Sequence, residues 1–161
     1  MLLYVDDMII TGDDNAHITF VKKKLCETFL MSGLGLLRYF LGTEITSHPN
    51  GFRLSQQRYT LDLLARFGLT DIRIAATPME LYLQLQVFDG TPLSDPTRYR
   101  HLVGSLVYLT VTHPDISHAV HILSQFVGAP SSVHYAHLLR VLCYLRGTVS
   151  CCLFYSRQFS F

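Results

Sequence analysis

Zinc-type spacing is missing from this sequence. Its four cysteines, Cys26, Cys143, Cys151 and Cys152, form no Cys-x-x-Cys pair, and no histidine follows them at finger spacing. That excludes a zinc-stabilised module and is read most simply as a reduced intracellular chain. Cys151 and Cys152 are adjacent, so on a strand they face opposite sides and have a structural role at most. An excess of charge of either sign is missing too. The formal net charge is only +1, so any nucleic-acid binding must rest on local patches rather than on bulk electrostatics. An uninterrupted membrane-length apolar run is also lacking. No Asp, Glu, Lys or Arg stands between Ile116 and Leu139, yet His118, His121, His134, His137, Gln125 and Pro130 break that segment. Met1-Leu2-Leu3-Tyr4 meets Asp6 and Asp7 too soon to form the apolar stretch of a signal peptide. Internal repeats and low-complexity segments are absent.

What is present is apolar. About half of the 161 residues are hydrophobic, with ten Phe and nine Tyr, enough for one domain or two small ones with a real core. Leu2 to Ile10 reads as strand, turn and strand around Asp6-Asp7. Asp14 is a cap for a helix from about Asn15 to Phe29, with Ile18, Val21, Leu25 and Phe29 at helical spacing. Tyr39 to Thr46 and Gly51 to Gln56 read as strands around the turn His48-Pro49-Asn50-Gly51, and a helix follows from Gln57 to Phe67. Leu81, Leu83, Leu85 and Val87 alternate, which suits a short extended piece.

The second half reads as helical. Asp95-Pro96 pairs a cap with a first-turn proline, and the helix runs through Tyr99, Leu102, Val103, Leu106 and Leu109. Pro114 starts the next, with Ile116, Ala119, Val120, Leu123 and Val127 on one face, and Ser131 or Ser132 caps a third that ends at Gly147. Cys151 to Tyr155 suits a final strand. The fold class expected is α+β.

The pair Asp6-Asp7 has two readings. Asp in a turn is ordinary, because its carboxylate accepts local backbone bonds, and Asp13-Asp14 shows the same pair where a loop and a cap suffice. Here, however, apolar strands flank the carboxylates and hold them rigidly. Rigid oxygen donors suit Mg²⁺, which usually takes one or two carboxylates plus phosphates. The histidines His113, His118 and His121, with His134 and His137, sit three to five apart, but no Cys, Glu or His-Glu-x-x-His motif joins them at ligand spacing.

Tyr4-Val5-Asp6-Asp7 between apolar strands resembles the catalytic hairpin of reverse transcriptases. Further motifs agree in order and spacing: Tyr39-Phe40-Leu41-Gly42-Thr43-Glu44-Ile45, Leu54-Ser55-Gln56-Gln57-Arg58-Tyr59, Thr77-Pro78, Tyr99-Arg100-His101-Leu102-Val103-Gly104, Pro114-Asp115-Ile116 and Leu123-Ser124-Gln125-Phe126. Together they resemble the Ty1/copia retrotransposon reverse transcriptases over nearly the whole chain. The resemblance implies RNA-directed DNA polymerisation on an RNA/DNA primer-template, with Mg²⁺ or Mn²⁺ as cofactor. It implies a partial palm over residues 1–70, a connector over 71–96 and a helical thumb and connection region over 97–161.

Carried onto this sequence, the resemblance makes Asp6 the first metal ligand and Asp7 the second. Tyr4 and Val5 would shape the site against the primer terminus, and Leu41, Gly42 and Thr43 would bring backbone close to the primer strand. Lys22 to Lys24 suit a solvated helix face better than phosphate contact, and Arg140 and Arg146 lie on nearly opposite sides of their helix. The family also uses a carboxylate, palm strands and fingers upstream of the hairpin and a ribonuclease H region downstream. A chain that opens within an apolar strand is expected to have had pairing partners there, and on its own to be inactive. Residence in a cytoplasmic virus-like particle is the family's implication. Two departures stand out: Met31-Ser32-Gly33-Leu34-Gly35 lacks the charges relatives usually carry, and His113 stands where they usually have arginine.

Overall fold

The computed structural model describes residues 1–68 and 73–157. It divides into two compact units, Met1–Leu41 and Gly42–Phe161.

The first unit begins with an antiparallel hairpin, β1 (Leu2–Tyr4) and β2 (Asp7–Ile9), in the register Leu2↔Ile9, Leu3↔Met8 and Tyr4↔Asp7. Helix α1 (Asn15–Thr28) follows. The Asp14 carboxylate accepts from the amides of Ala16 and His17 at 2.9 and 3.0 Å, so the expected cap is in place. The expected apolar stripe is only half realised. Ile18, Val21 and Leu25 are half-buried and Phe29 is exposed, and the helix has no buried residue. A two-residue strand, β3 (Tyr39–Phe40), closes the unit.

The second unit contains the packed core. Strands β4 (Thr43–His48), β5 (Gly51–Ser55) and β6 (Leu153–Ser156) lie side by side and antiparallel, with Glu44↔Ser55 and Phe52↔Tyr155 among their pairs. The Asn50-Gly51 turn therefore does what its sequence requires. Helix α2 (Gln57–Arg66) leaves the sheet directly. Helix α3 (Pro96–Leu109) starts from Asp95, whose side chain accepts from Thr97 N at 2.9 Å, with proline in the first turn. A 3-10 turn (Pro114–Ile116) runs into α4 (Ser117–Ser124), and α5 (Ser132–Gly147) completes the bundle. Val127, expected on that helical face, lies past the end of α4.

Periodicity explains the core. Leu63 and Leu64 from α2, Tyr99, Leu102, Val103, Leu106 and Leu109 from α3, and Leu138, Val141, Leu142 and Leu145 from α5 are all buried, together with Ile116, Ala119, Val120 and Leu123. These are i, i+3, i+4 and i+7 positions of amphipathic helices. Each large aliphatic side chain so enclosed is worth about 1.5–3 kcal/mol relative to exposure.

Two local expectations fail. No strand forms over Leu81–Val87. Leu81 and Tyr82 are 86% and 96% exposed, and Tyr82 adopts φ 59°. Alternation needs a partner strand to become a ladder, and this segment meets a helix start instead, where His134 Nε2 lies 3.0 Å from Gln86 O. The strand expected from Tyr39 to Thr46 is interrupted, because Leu41 and Gly42 both take left-handed backbone, φ 46° and 73°. The first residues of the expected connector, 71 and 72, lie outside the described residues. Among the described residues no helix is long and apolar enough to cross a membrane.

Candidate nucleotidyl-transfer site

The acidic hairpin turns over two residues. Tyr4 pairs with Asp7, so Val5 and Asp6 form the loop. Only Val5 of the two has positive φ, 48°, the pattern of a turn whose first loop position is usually glycine. A β-branched side chain in that region is strained by about 1–2 kcal/mol. Asp6 thus stands at the tip and Asp7 opens β2, both exposed. Tyr4 shares a sheet face with Asp7, as directly opposed cross-strand residues do.

Two hard oxygen donors on a tight turn suit a divalent cation that also binds phosphate oxygens. Among the described residues no cluster of three His, Cys, Asp or Glu side chains exists that would hold a metal. Asp6 and Asp7 are two donors, fewer than the carboxylates and phosphates that a two-ion clamp engages.

The remaining expected contact residues fall on both sides of a boundary. Tyr4, Val5, Asp6, Asp7 and Leu41 belong to the first unit, and Gly42 and Thr43 to the second. Gly42 is required where it stands. Its φ is 73°, and a Cβ there would run into the Tyr108 hydroxyl. Tyr108 is itself fixed edge-on against Tyr59, with ring centroids 5.0 Å apart.

Beyond Gly42 the polar groups form a layer with no role assigned from sequence. Glu44 accepts from Ser55 Oγ at 3.1 Å and from Arg58 Nε at 3.1 Å, clamping β4 to β5 and to the start of α2. Gln56 is fully buried and its Oε1 accepts from Thr112 Oγ1 at 2.8 Å, while its Nε2 has no partner. Gln56 and Thr112 are fifty-six residues apart, so only the tertiary fold reveals the pair. Their polarity alone suggests loop surface.

The basic and imidazole groups have local roles. Lys23 and Lys24 reach Glu27 at 4.0 and 2.9 Å on an exposed helix face. Arg140 binds Glu80 Oε1 at 3.2 Å and Thr77 Oγ1 at 3.0 Å, holding residues 77–80 against α5. His134 is buried at the N-terminus of α5. Its Nδ1 accepts from Ser131 N at 3.0 Å and its Nε2 lies 3.0 Å from Gln86 O, so Nε2 carries the proton. His113 is buried with Nδ1 3.6 Å from Asp115. Burial lowers its pKa, and the Asp115 charge and hydrogen bond oppose this only in part. Asp115 also accepts from Tyr144 Oη at 2.5 Å, and that bond, with some burial, pushes the phenol up to about 12.

Comparison with known proteins agrees with the motifs. A family model described as reverse transcriptase (RNA-dependent DNA polymerase) matches residues 1–81. The chain is 47% identical over 148 residues to the retrovirus-related Pol polyprotein from transposon RE2 of Arabidopsis thaliana, covering 92% of this chain and 10% of that one. It is 36% identical to the Pol polyprotein from transposon TNT 1-94 of Nicotiana tabacum, over 95% of this chain and 12% of that one. An uncharacterized mitochondrial protein of Arabidopsis thaliana, AtMg00810, is 41% identical over 92% of this chain and 62% of its own length. The chain therefore spans about a tenth of the length of the Pol polyproteins it matches. No solved structure matches. On the matched domain and the identity that continues past it, the chain belongs to the reverse transcriptase family of Ty1/copia-type retrotransposons.

Proposed function

We propose that these residues are the palm-to-thumb part of an RNA-directed DNA polymerase that acts on an RNA/DNA primer-template, and that alone they do not extend a primer. The observation that carries the reading is the hairpin: two exposed carboxylates, one at the tip and one opening β2, on a turn that forces Val5 to φ 48°. Strain of that kind persists where geometry serves a site.

In this reading Asp6 is the principal metal ligand and Asp7 supports it, because the two leave the hairpin from different backbone settings. Divalent ions, when bound, lower the charge barrier to attack by a 3′-hydroxyl and stabilise the leaving oxygen. Tyr4, on the face of Asp7, and Val5 bear on the primer terminus. Leu41, Gly42 and Thr43 present backbone to the primer strand, and the first two do so in left-handed conformation, which small or strained residues permit.

Primer extension on an RNA template with Mg²⁺ or Mn²⁺ tests the reading. No incorporation is expected from the chain alone. Incorporation abolished by Asp6→Asn would overturn the inactivity and leave the polymerase assignment standing. The second reading is a non-catalytic module that grips RNA–DNA duplex. The confinement of the buried core to the second unit favours it, since that unit is packed without help from the acidic hairpin.

A further inference from the structure

The last two cysteines do not lie where their sequence suggests. A strand over Cys151 to Tyr155 would send adjacent thiols to opposite faces of a sheet and keep them apart. In the structure β6 starts only at Leu153, and its pairing with β5 ends at Leu54↔Leu153. Cys151 instead closes the turn after α5, its amide donating to Thr148 O at 2.9 Å. Cys152 belongs to neither helix nor strand. No ladder therefore fixes the two side chains on opposite sides. Both are free thiols, and both are exposed.

The other two cysteines differ. Cys143 is half-buried within α5, and burial pushes the pKa of its thiol up, which disfavours the reactive thiolate. Cys26 is exposed on α1 but has no cysteine next to it in the chain. Cys151 and Cys152 alone of the four combine exposure with an adjacent thiol. Consecutive α-carbons stand about 3.8 Å apart across a trans peptide, short of the roughly 4.4–6.8 Å that disulfides usually span. A disulfide between them is strained, and strained, exposed disulfides are the readily reduced ones. Proximity acts the other way on rate, because a thiol tethered beside a mixed disulfide attacks it intramolecularly. Fast closure and easy reopening suit a switchable pair, not a structural crosslink.

We propose that Cys151 and Cys152 are a redox modification site, which closes reversibly to a vicinal disulfide on meeting a small disulfide oxidant of the glutathione class. In the first step the thiolate of one cysteine attacks a sulfur of glutathione disulfide. A protein–glutathione S–S bond forms and one glutathione thiolate leaves. In the second step the neighbouring thiol gives up its proton, attacks the protein sulfur of that mixed disulfide and expels the second glutathione. The two protein thiols lose two electrons in all, and one glutathione disulfide is reduced to two glutathione thiols. The proposal is independent of the polymerase reading, because none of the residues assigned to that site takes part.

Trypsin makes the test direct. Cleavage after Arg146 and Arg157 releases residues 147–157, which hold Cys151 and Cys152 and no other cysteine. Cleavage after Lys24 and Arg38 releases residues 25–38, which hold Cys26 alone. The folded full chain is incubated with glutathione disulfide, quenched with acid, alkylated, digested and weighed by mass spectrometry. The 147–157 peptide is expected to be lighter by two hydrogens, with neither alkylation nor glutathione, whereas the Cys26 peptide keeps one glutathione. Dithiothreitol should restore both alkylation sites. In Cys151→Ser and in Cys152→Ser the remaining thiol should keep its glutathione. Glutathione persisting on the wild-type 147–157 peptide, as in the single variants, would overturn the proposal. So would a thiol pair left unmodified where Cys26 is modified, or a disulfide joining this peptide to any other.

Discussion

The hydroxyl of Tyr99 on α3 donates to the carbonyl oxygen of Leu123 on α4 at 2.7 Å, and both residues are fully buried. Burial raises the Tyr99 pKa well beyond the usual phenol range, so the group remains a donor at any working pH. Leu123 O also accepts from Phe126 N at 3.2 Å and keeps a partner if the hydroxyl is lost. Tyr99→Phe is therefore expected to cost only about 1 kcal/mol. Tyr99→Ala leaves a cavity at the α3–α4 contact and is expected to cost about 3–5 kcal/mol. Urea unfolding followed by far-UV circular dichroism measures both, and equal losses would show that the hydrogen bond, not the ring, dominates.

Acid should destabilise the second unit through His113. Burial holds its pKa below the ordinary 6.5, so the folded state favours neutral imidazole. That contribution is complete above about pH 6.5 and is lost as pH falls through the depressed folded value. A urea midpoint that declines below about pH 6.5 in the wild type, but less in His113→Gln, is the expected result. Identical pH profiles would remove His113 from the account.

His134 ties residues near Gln86 to the start of α5. Its ring stacks on Phe126 at 3.9 Å while both nitrogens are bonded. His134→Ala is expected to cost about 2–4 kcal/mol, combining lost packing with two unpaired backbone groups. Hydrogen exchange gives the sharper readout. The Leu93 amide, bonded to Pro130 O at 3.0 Å, should exchange faster in the variant, and unchanged protection there would refute the coupling.

Glycine exchanges at two turns should act in opposite directions. Gly42→Ala places a methyl against Tyr108 at φ 73°, and a loss of at least about 1 kcal/mol is expected from backbone alone. Val5→Gly relieves a residue at φ 48° and is expected to favour the turn by about 1 kcal/mol. Chemical denaturation reports the first, and cross-strand nuclear Overhauser effects between Leu3 and Met8 report the second. Weaker effects in Val5→Gly would show that the valine side chain stabilises the turn more than its backbone strains it.

The helical half was legible because its signals are local. Asp95-Pro96, Ser131 and the apolar spacing from Leu102 to Leu109 each specify an end or a face within a few residues. The acidic hairpin was legible for the same reason, as apolar runs flanking a polar pair. Gln56 with Thr112, Glu44 with Arg58, and His134 with Gln86 were not legible, since each joins distant segments and carries no periodic signature. The alternation of Leu81 to Val87 misled because period alone does not provide a neighbouring strand. The interruption at Leu41-Gly42 was hidden for a different reason: leucine rarely adopts left-handed backbone, so nothing in its identity announces it.

No residue from Met1 to Leu41 is buried, and that has a consequence for the carboxylates. Asp6 and Asp7 inherit their rigidity from a hairpin with no enclosed side chain behind it. Under the proposed metal role, ordering the turn and gathering an ion there would be one linked equilibrium rather than two. If Asp6 takes the metal role proposed for it, whatever shields Leu2, Leu3 and Tyr4 from water would raise its cation affinity, and by reciprocity a bound cation would tighten that shield.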